Sequence, residues 1–301
     1  MYFPRPYPDE LTSSLLIRAS RHLGIPFDKV LKDLTGVGRK RLHFLNPFAL
    51  KKIADSTGMA YDEILVNHTL YPYVTAFMTN GHRERLRASL VAAAPQIRSD
   101  FNWLVGAPWS RLACRRFCPE CLLDDLREHG ESYWHRLHVL PGVYTCTKHR
   151  SPLLGTDIPL GWCEPSRAQA CPSDDPGIEI VLPLSKHLLD AVAMDSKDAL
   201  EGNFSARLDE IRAHAQHVEE LGLSFSKGCV PRCLSSQLEK FYGTAYLTYT
   251  NVSWPNFRMS VERRPALMIR QAETATFTTL QYLLLQIFFE NFPSATLNRR
   301  N

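Results

Sequence analysis

The chain has 301 residues, 45% of them hydrophobic and 22% charged. These globular values exclude a disordered tail, a collagen-like chain and a disulfide-knotted miniprotein, and the length suits about two domains. The net charge of +4 arises in the first half, where residues 1–150 hold 21 Lys and Arg against 14 Asp and Glu. A polyanion is expected to dock there, and so modest an excess suits an auxiliary DNA contact.

The opening run Met1–Glu10 carries prolines and acids where a signal peptide needs an apolar stretch. The longest nearly apolar run, Leu280–Phe289, is broken by Gln281 and Gln286 and falls short of the ~20 residues a bilayer requires. The expectation is a protein without a membrane partner that stays inside the cell. Its eight cysteines should then be reduced, and clustered ones should hold metal.

The first predicted helix runs from Asp9 to Leu23, with acids in its first turn and Gly24-Ile25-Pro26 ending it. A short helix over Asp28–Leu34 precedes a basic loop with Gly36, Gly38, Arg39, Lys40 and Arg41. Asn46-Pro47 caps a helix to about Thr57, Gly58 turns the chain, and a second helix covers about Tyr61–Leu70. Ala54, Gly58 and Ile64 fall where a helix-turn-helix needs a small residue, a turn glycine and an apolar wedge. Residues 82–98 read as another helix with several arginines. Residues 156–184, rich in proline, read as a linker. Helical periodicity returns over 184–200, 204–221, 232–242, 259–272 and 277–291.

Cys118-Pro119-Glu120-Cys121 is followed by Cys146-Thr147-Lys148-His149. Two residues between ligands let both side chains of one turn reach one ion, and three thiolates plus one imidazole complete a tetrahedral shell for zinc. The site is expected to be structural, since four protein ligands leave no open position. A helix over Leu122–Gly130 should expose Asp124, Asp125 and Glu128. Tyr133, Trp134, Leu137, Val139 and Leu140 should pack on the site. Cys114, His135 and His138 lie close enough to be substitute ligands, but read better as buried or polar bystanders. Cys163, Cys171, Cys229 and Cys233 are either a second site or spare thiols.

The run Phe3-Pro4-Arg5-Pro6-Tyr7-Pro8-Asp9-Glu10-Leu11 resembles the start of the TniQ/TnsD family. So do Phe117-Cys118-Pro119-Glu120-Cys121, Tyr133-Trp134, Cys146-Thr147-Lys148-His149 and Leu153-Leu154, in this order and spacing. One departure is His138, where the family often has a second tryptophan. The longer DNA-reading selectors of the family extend beyond 301 residues, so this chain reads either as a short member or as part of a longer one. The resemblance implies a bacterial, cytoplasmic selector of transposition targets. Such a protein recognises target DNA, or rides on a CRISPR RNA-guided effector, and recruits an AAA+ ATPase regulator of the transposase. Contact with that regulator is expected at residues 2–10, naming Tyr2, Phe3, Arg5, Tyr7, Asp9 and Glu10.

The expected architecture is mainly α. A helical domain with a helix-turn-helix covers 1–105, a Cys3His zinc-finger module covers 106–160, and a linker with a helical domain covers 161–301. That last domain holds a candidate second helix-turn-helix over 204–221 and 232–242, with Lys227, Arg232 and Lys240 as candidate contacts. Phosphate contacts are expected from Arg39, Lys40, Arg41, Lys51 and Lys52, and from Arg115 and Arg116 beside the metal. Base reading is not expected from Tyr61–His68, because Asp62 and Glu63 suit a major groove poorly. An enzyme is the alternative of another class. His82-Arg83-Glu84 with the cysteine pair partly matches a zinc-deaminase signature, but the proline lies inside the pair and the four ligands close the site. There is no Gly-x4-Gly-Lys-Ser/Thr loop for ATP and no His-Glu-x-x-His.

Overall fold

The computed structural model describes residues 3–35, 47–92, 114–159, 170–203, 223, 234–250 and 278–291. The loop with Arg39, Lys40 and Arg41 lies outside the described residues, as do Tyr2, Cys163, Cys229, Cys233, Lys227, Arg232 and the segments 204–221 and 259–272.

The first half is helical: α1 (Thr12–Leu23), α2 (Phe27–Thr35), α3 (Pro47–Thr57), α4 (Tyr61–Asn67), α5 (Tyr71–Thr75) and α6 (Asn80–Val91). α1 stops where its sequence says it should. Gly24 takes φ +62, its N–H bonds the Arg21 carbonyl, and Ile25 N–H bonds the Ser20 carbonyl. Its start differs from the expectation. Asp9 and Glu10 precede the helix, and Leu11 N–H bonds the Trp134 carbonyl while Thr12 N–H bonds that of His68. The entering strand is therefore anchored to distant segments, and the two acids are turned to other work.

α3 and α4 are the two helices read from the sequence as a helix-turn-helix. Gly58 adopts φ +69 between them, and Ala54 and Ile64 are buried. The run read as one helix to Leu70 is broken after Asn67. Pro72 lies in the first turn of α5 and has no N–H to give the carbonyl four residues back, so α4 cannot run on through it.

The region read as a linker contributes strand instead. β1 (Cys114–Phe117), β2 (Leu154–Pro159) and β3 (Ile178–Glu179) make an antiparallel sheet in that order. Phe117 pairs Leu154, and Leu154 pairs Glu179. β3 and most of β2 fall in that proline-rich run, where proline content hid them; β1 precedes it. Pro172–Asp174 adds a 3-10 turn.

Between β1 and β2 lie α7 (Pro119–His129) and α8 (Arg136–Val139). The rest is helical: α9 (Lys186–Glu201), α10 (Leu234–Tyr242), α11 (Thr244–Tyr249) and α12 (Thr279–Asn291). α12 is apolar nearly all round, and its side chains through Phe289 are buried, as such a helix requires. One continuous apolar cluster joins Leu15 and Ile53 of the first half, Trp134 and Leu140 beside α8, and Leu284 of α12. Among the described residues no helix is long and apolar enough to cross a membrane.

Candidate metal centre

Cys118 leaves β1 and occupies the N-cap position of α7, whose first helical residue is Pro119. The helix turn then brings Cys121 back to the same side. The second pair sits on a tight loop. Cys146 N–H bonds the Ser151 carbonyl, Arg150 N–H bonds the Cys146 carbonyl, and Arg150 takes φ +59 to close it. His149 N–H points at Cys146 Sγ from 3.5 Å.

The four donor atoms lie within 4.8 Å of one another. Cys121 Sγ is 3.7 Å from Cys146 Sγ, and His149 Nδ1 is 3.5, 3.4 and 3.7 Å from the sulfurs of Cys118, Cys121 and Cys146. Zinc bonds of ~2.3 Å to sulfur and ~2.0 Å to nitrogen, at tetrahedral angles, require edges of about 3.8 and 3.5 Å. The cluster therefore fits a zinc ion with His149 bound through Nδ1. Its donor chemistry agrees. Hydrogen bonds from Cys121 and Cys146 pull the Cys118 thiol down, while hydrogen bonds with Cys118 and Cys146 push the Cys121 thiol up. Three sulfurs this close ionise together only beside a cation.

Asp124 fixes the imidazole. Its Oδ2 lies 3.2 Å from His149 Nε2, so the outer ring nitrogen carries the proton and Nδ1 faces the ion. A hydrogen bond from Lys148, helped by Arg127, holds the Asp124 carboxyl below its ordinary range. Asp124 is three residues after Cys121 and so on the ligand side of α7. The expectation that Asp124 and Asp125 are exposed is thus corrected. Asp125 is buried, 3.0 Å from His135 Nε2, and only Glu128 faces solvent. Tyr133, Trp134, Leu137, Val139 and Leu140 are buried around the site as expected. Cys114, Cys171, His135 and His82 stand outside the cluster.

Two expected phosphate contacts turn inward. Arg115 is 5% and Arg116 6% exposed. Arg116 donates to the carbonyls of His138 at 3.1 Å and Leu140 at 2.7 Å and lies over the Tyr144 ring, while Arg115 lies over Trp134. The reason is position: β1 is covered by α8, so its side chains brace the module. Lys51, Lys52 and Lys240 are exposed on their helices.

The amino-terminal run also has an internal role that spacing did not reveal. Asp9, at φ +56, accepts from Arg136 Nε at 2.9 Å and from Leu137 N–H at 3.2 Å. Arg136 reaches on to the carbonyls of Val66, in the last turn of α4, and Thr69, just beyond it. Glu10 pairs with Arg18 in the core. Burial pushes the Glu10 carboxyl up to about 7, against the pull of Arg18 and of Tyr7 N–H. Tyr7 donates to Glu131 at 2.9 Å and stacks on His129, and Phe3 is buried. Of the residues expected to meet a regulator, Arg5 is the one left exposed among those described. Asp9 and Glu10 instead belt α4 and α1 to the segment around the metal-ligand cluster.

Residues 1–153 match the TniQ family. The chain is also 32% identical over 155 residues to the transposon Tn7 transposition protein TnsD of Escherichia coli. That match covers 49% of this chain and 30% of the relative, so the chain spans under a third of that protein's length. The family match takes in the belt from Phe3 to Glu10, all four metal-ligand positions and Arg136. By this match over half its length, the chain belongs to the TniQ family.

Proposed function

We propose that the protein is an adaptor that commits transposition to a target site, without catalysing a step itself. It meets target DNA on one surface and recruits an AAA+ ATPase regulator with another. Zinc, held by Cys118, Cys121, Cys146 and His149, supplies shape: it fixes the angle between the helix-turn-helix and the rest of the chain. The observation that carries this reading is the joint between a closed four-ligand cluster and the Asp9–Arg136 belt, in a protein of a transposition family. A complete ligand shell offers no position for an activated water, which argues against the alternative of a zinc-dependent nucleic-acid enzyme.

Phosphate contact is assigned to Arg39, Lys40, Arg41, Lys51 and Lys52. The regulator contact is assigned to the amino-terminal half around exposed Arg5. A second reading, in which a CRISPR RNA-guided effector supplies the address, draws support from the inward-facing Arg115 and Arg116 and from Asp62 of α4, which pairs with Arg87 of α6. Both leave fewer cations for DNA.

Titration of DNA binding with salt separates the two. A direct reader loses affinity steeply as salt rises, with a slope set by the number of phosphates engaged. Weak binding with a flat slope, together with capture of the effector complex, selects the second reading. Failure to capture the ATPase encoded beside the transposase, or release of a cleaved or deaminated product from nucleic acid by the pure protein, overturns the adaptor role.

A further inference from the structure

His138 is outside the four-ligand set, yet its ring is buried against it. It is 3% exposed, its Nε2 lies 3.9 Å from Cys121 Sγ, and its Nδ1 has no hydrogen-bond partner among the described residues. The backbone holds the ring in place, because the His138 carbonyl accepts from Arg116 Nε and the ring packs on His135 at 4.8 Å between centroids.

The two neutral tautomers differ sharply here. A proton on Nδ1 would bury an N–H without an acceptor and would aim the bare Nε2 lone pair at the electron-rich sulfur. A proton on Nε2 aims a donor at the sulfur and leaves only an acceptor unfilled, the lesser loss for a buried group. The neighbouring ligands show the same need. Cys121 N–H supports Cys118 Sγ, and His149 N–H supports Cys146 Sγ. At Cys121 the side-chain donor aimed at the sulfur is His138.

We propose that His138 is a positioning residue of the metal centre, whose Nε2–H donates to the Cys121 thiolate and draws charge from it. A thiolate so engaged is less basic and a weaker nucleophile, so Cys121 keeps its bond to the ion and resists alkylation. This rests on the zinc reading of the cluster.

The test begins with the wild-type, zinc-loaded protein. Long-range proton–nitrogen correlation on labelled histidine is expected to show His138 protonated at Nε2 and bare at Nδ1; the reverse tautomer overturns the proposal without any variant. Cobalt replacement then reads the sulfur directly. His138→Phe keeps a ring and removes the donor. It is expected to move the thiolate-to-cobalt absorption to longer wavelength. It should also speed iodoacetamide labelling of Cys121 at least about threefold, with Cys118 and Cys146 unchanged. His138→Gln, which keeps an N–H, is expected to return both toward wild type. Bound cobalt with an unmoved band and unchanged labelling in His138→Phe overturns the role of His138 alone. Failure of cobalt and zinc to bind the wild-type protein overturns the metal centre and this proposal together.

Discussion

Arg18 and Glu10 meet at 2.6 Å with side chains 2% and 0% exposed, two turns of chain apart and closed off from water. Glu131, from just beyond α7, takes the other side of the same guanidinium at 2.9 Å. The charges therefore tie the first helix to the metal module.

Removing the cation should expose what the pair conceals. Arg18→Met leaves the Glu10 carboxyl buried without its counter-charge, at a cost of about 3 kcal/mol near neutral pH. Burial already lifts that carboxyl from 4.5 to about 7, and loss of Arg18 lifts it further. A raised acid binds more protons folded than unfolded, so its contribution to stability declines as pH rises above 4.5. Urea midpoints are expected to separate from wild type much more at pH 8 than at pH 5. Equal separation at both would remove Glu10 as the cause.

Glu131 should show the opposite sign. Burial pushes its carboxyl up, but hydrogen bonds from Arg18, His22 and Tyr7 outweigh burial and hold it below 4.5. Its stabilisation is present above 4.5 and is lost as pH falls through the lower folded value. Glu131→Gln is expected to destabilise by about 1–2 kcal/mol at pH 7 and by little in strong acid. Thermal melts of both proteins across that range would show the gap closing, and a gap constant with pH would contradict the charge network.

The metal site allows graded damage. Cys121→Ser and His149→Ala should each release zinc and loosen the module, read by elemental analysis and by loss of the buried Trp134 fluorescence environment. Asp124→Asn leaves all four ligands and weakens the orientation of His149, so zinc affinity should fall about 10- to 100-fold in chelator competition. Affinity equal to wild type would mean that Asp124 merely borders the site.

For the nucleic-acid surface, neutralising Arg39, Lys40 and Arg41 together should weaken DNA binding at every sequence. The log–log salt slope should flatten by about 0.9 for each phosphate that is no longer neutralised. An unchanged slope would place the DNA-binding surface elsewhere, with exposed Lys51 and Lys52 next to be replaced.

Sequence spacing reached the features that are local. Gly24 and Gly58 end helices through left-handed backbone that glycine adopts freely, and the two ligand pairs each lie within one turn. These depend on neighbours three or four residues away. Asp124 was legible by the same rule, since three residues from Cys121 is one helical turn, yet its charge suggested solvent instead. The belt was not legible. Asp9 and Arg136 stand 127 residues apart, and nothing in either neighbourhood marks the other. Arg115 and Arg116 misled for a related reason: an arginine beside a metal site can face water or carbonyl oxygens, and only the packing of α8 on β1 decides which. β2 and β3 were masked by the prolines of the stretch that holds them.

The carboxy-terminal helix α12 reaches back across the molecule. Thr279 donates to the Tyr73 carbonyl, Tyr282 stacks on Phe77 at 4.7 Å, and Leu280 lies against Gly142, where an added Cβ would come within 2.6 Å of it. Trp134 likewise gives its ring N–H to the Ala170 carbonyl. An excised fragment ending near residue 153 would keep the whole family-defining stretch and still be an open-sided shell, with aromatic seats turned to water and prone to stick to one another. Truncation studies of this protein would then measure solubility before they measured function, and the later helices would have to be supplied, in cis or as a separate piece, for the first half to behave as itself.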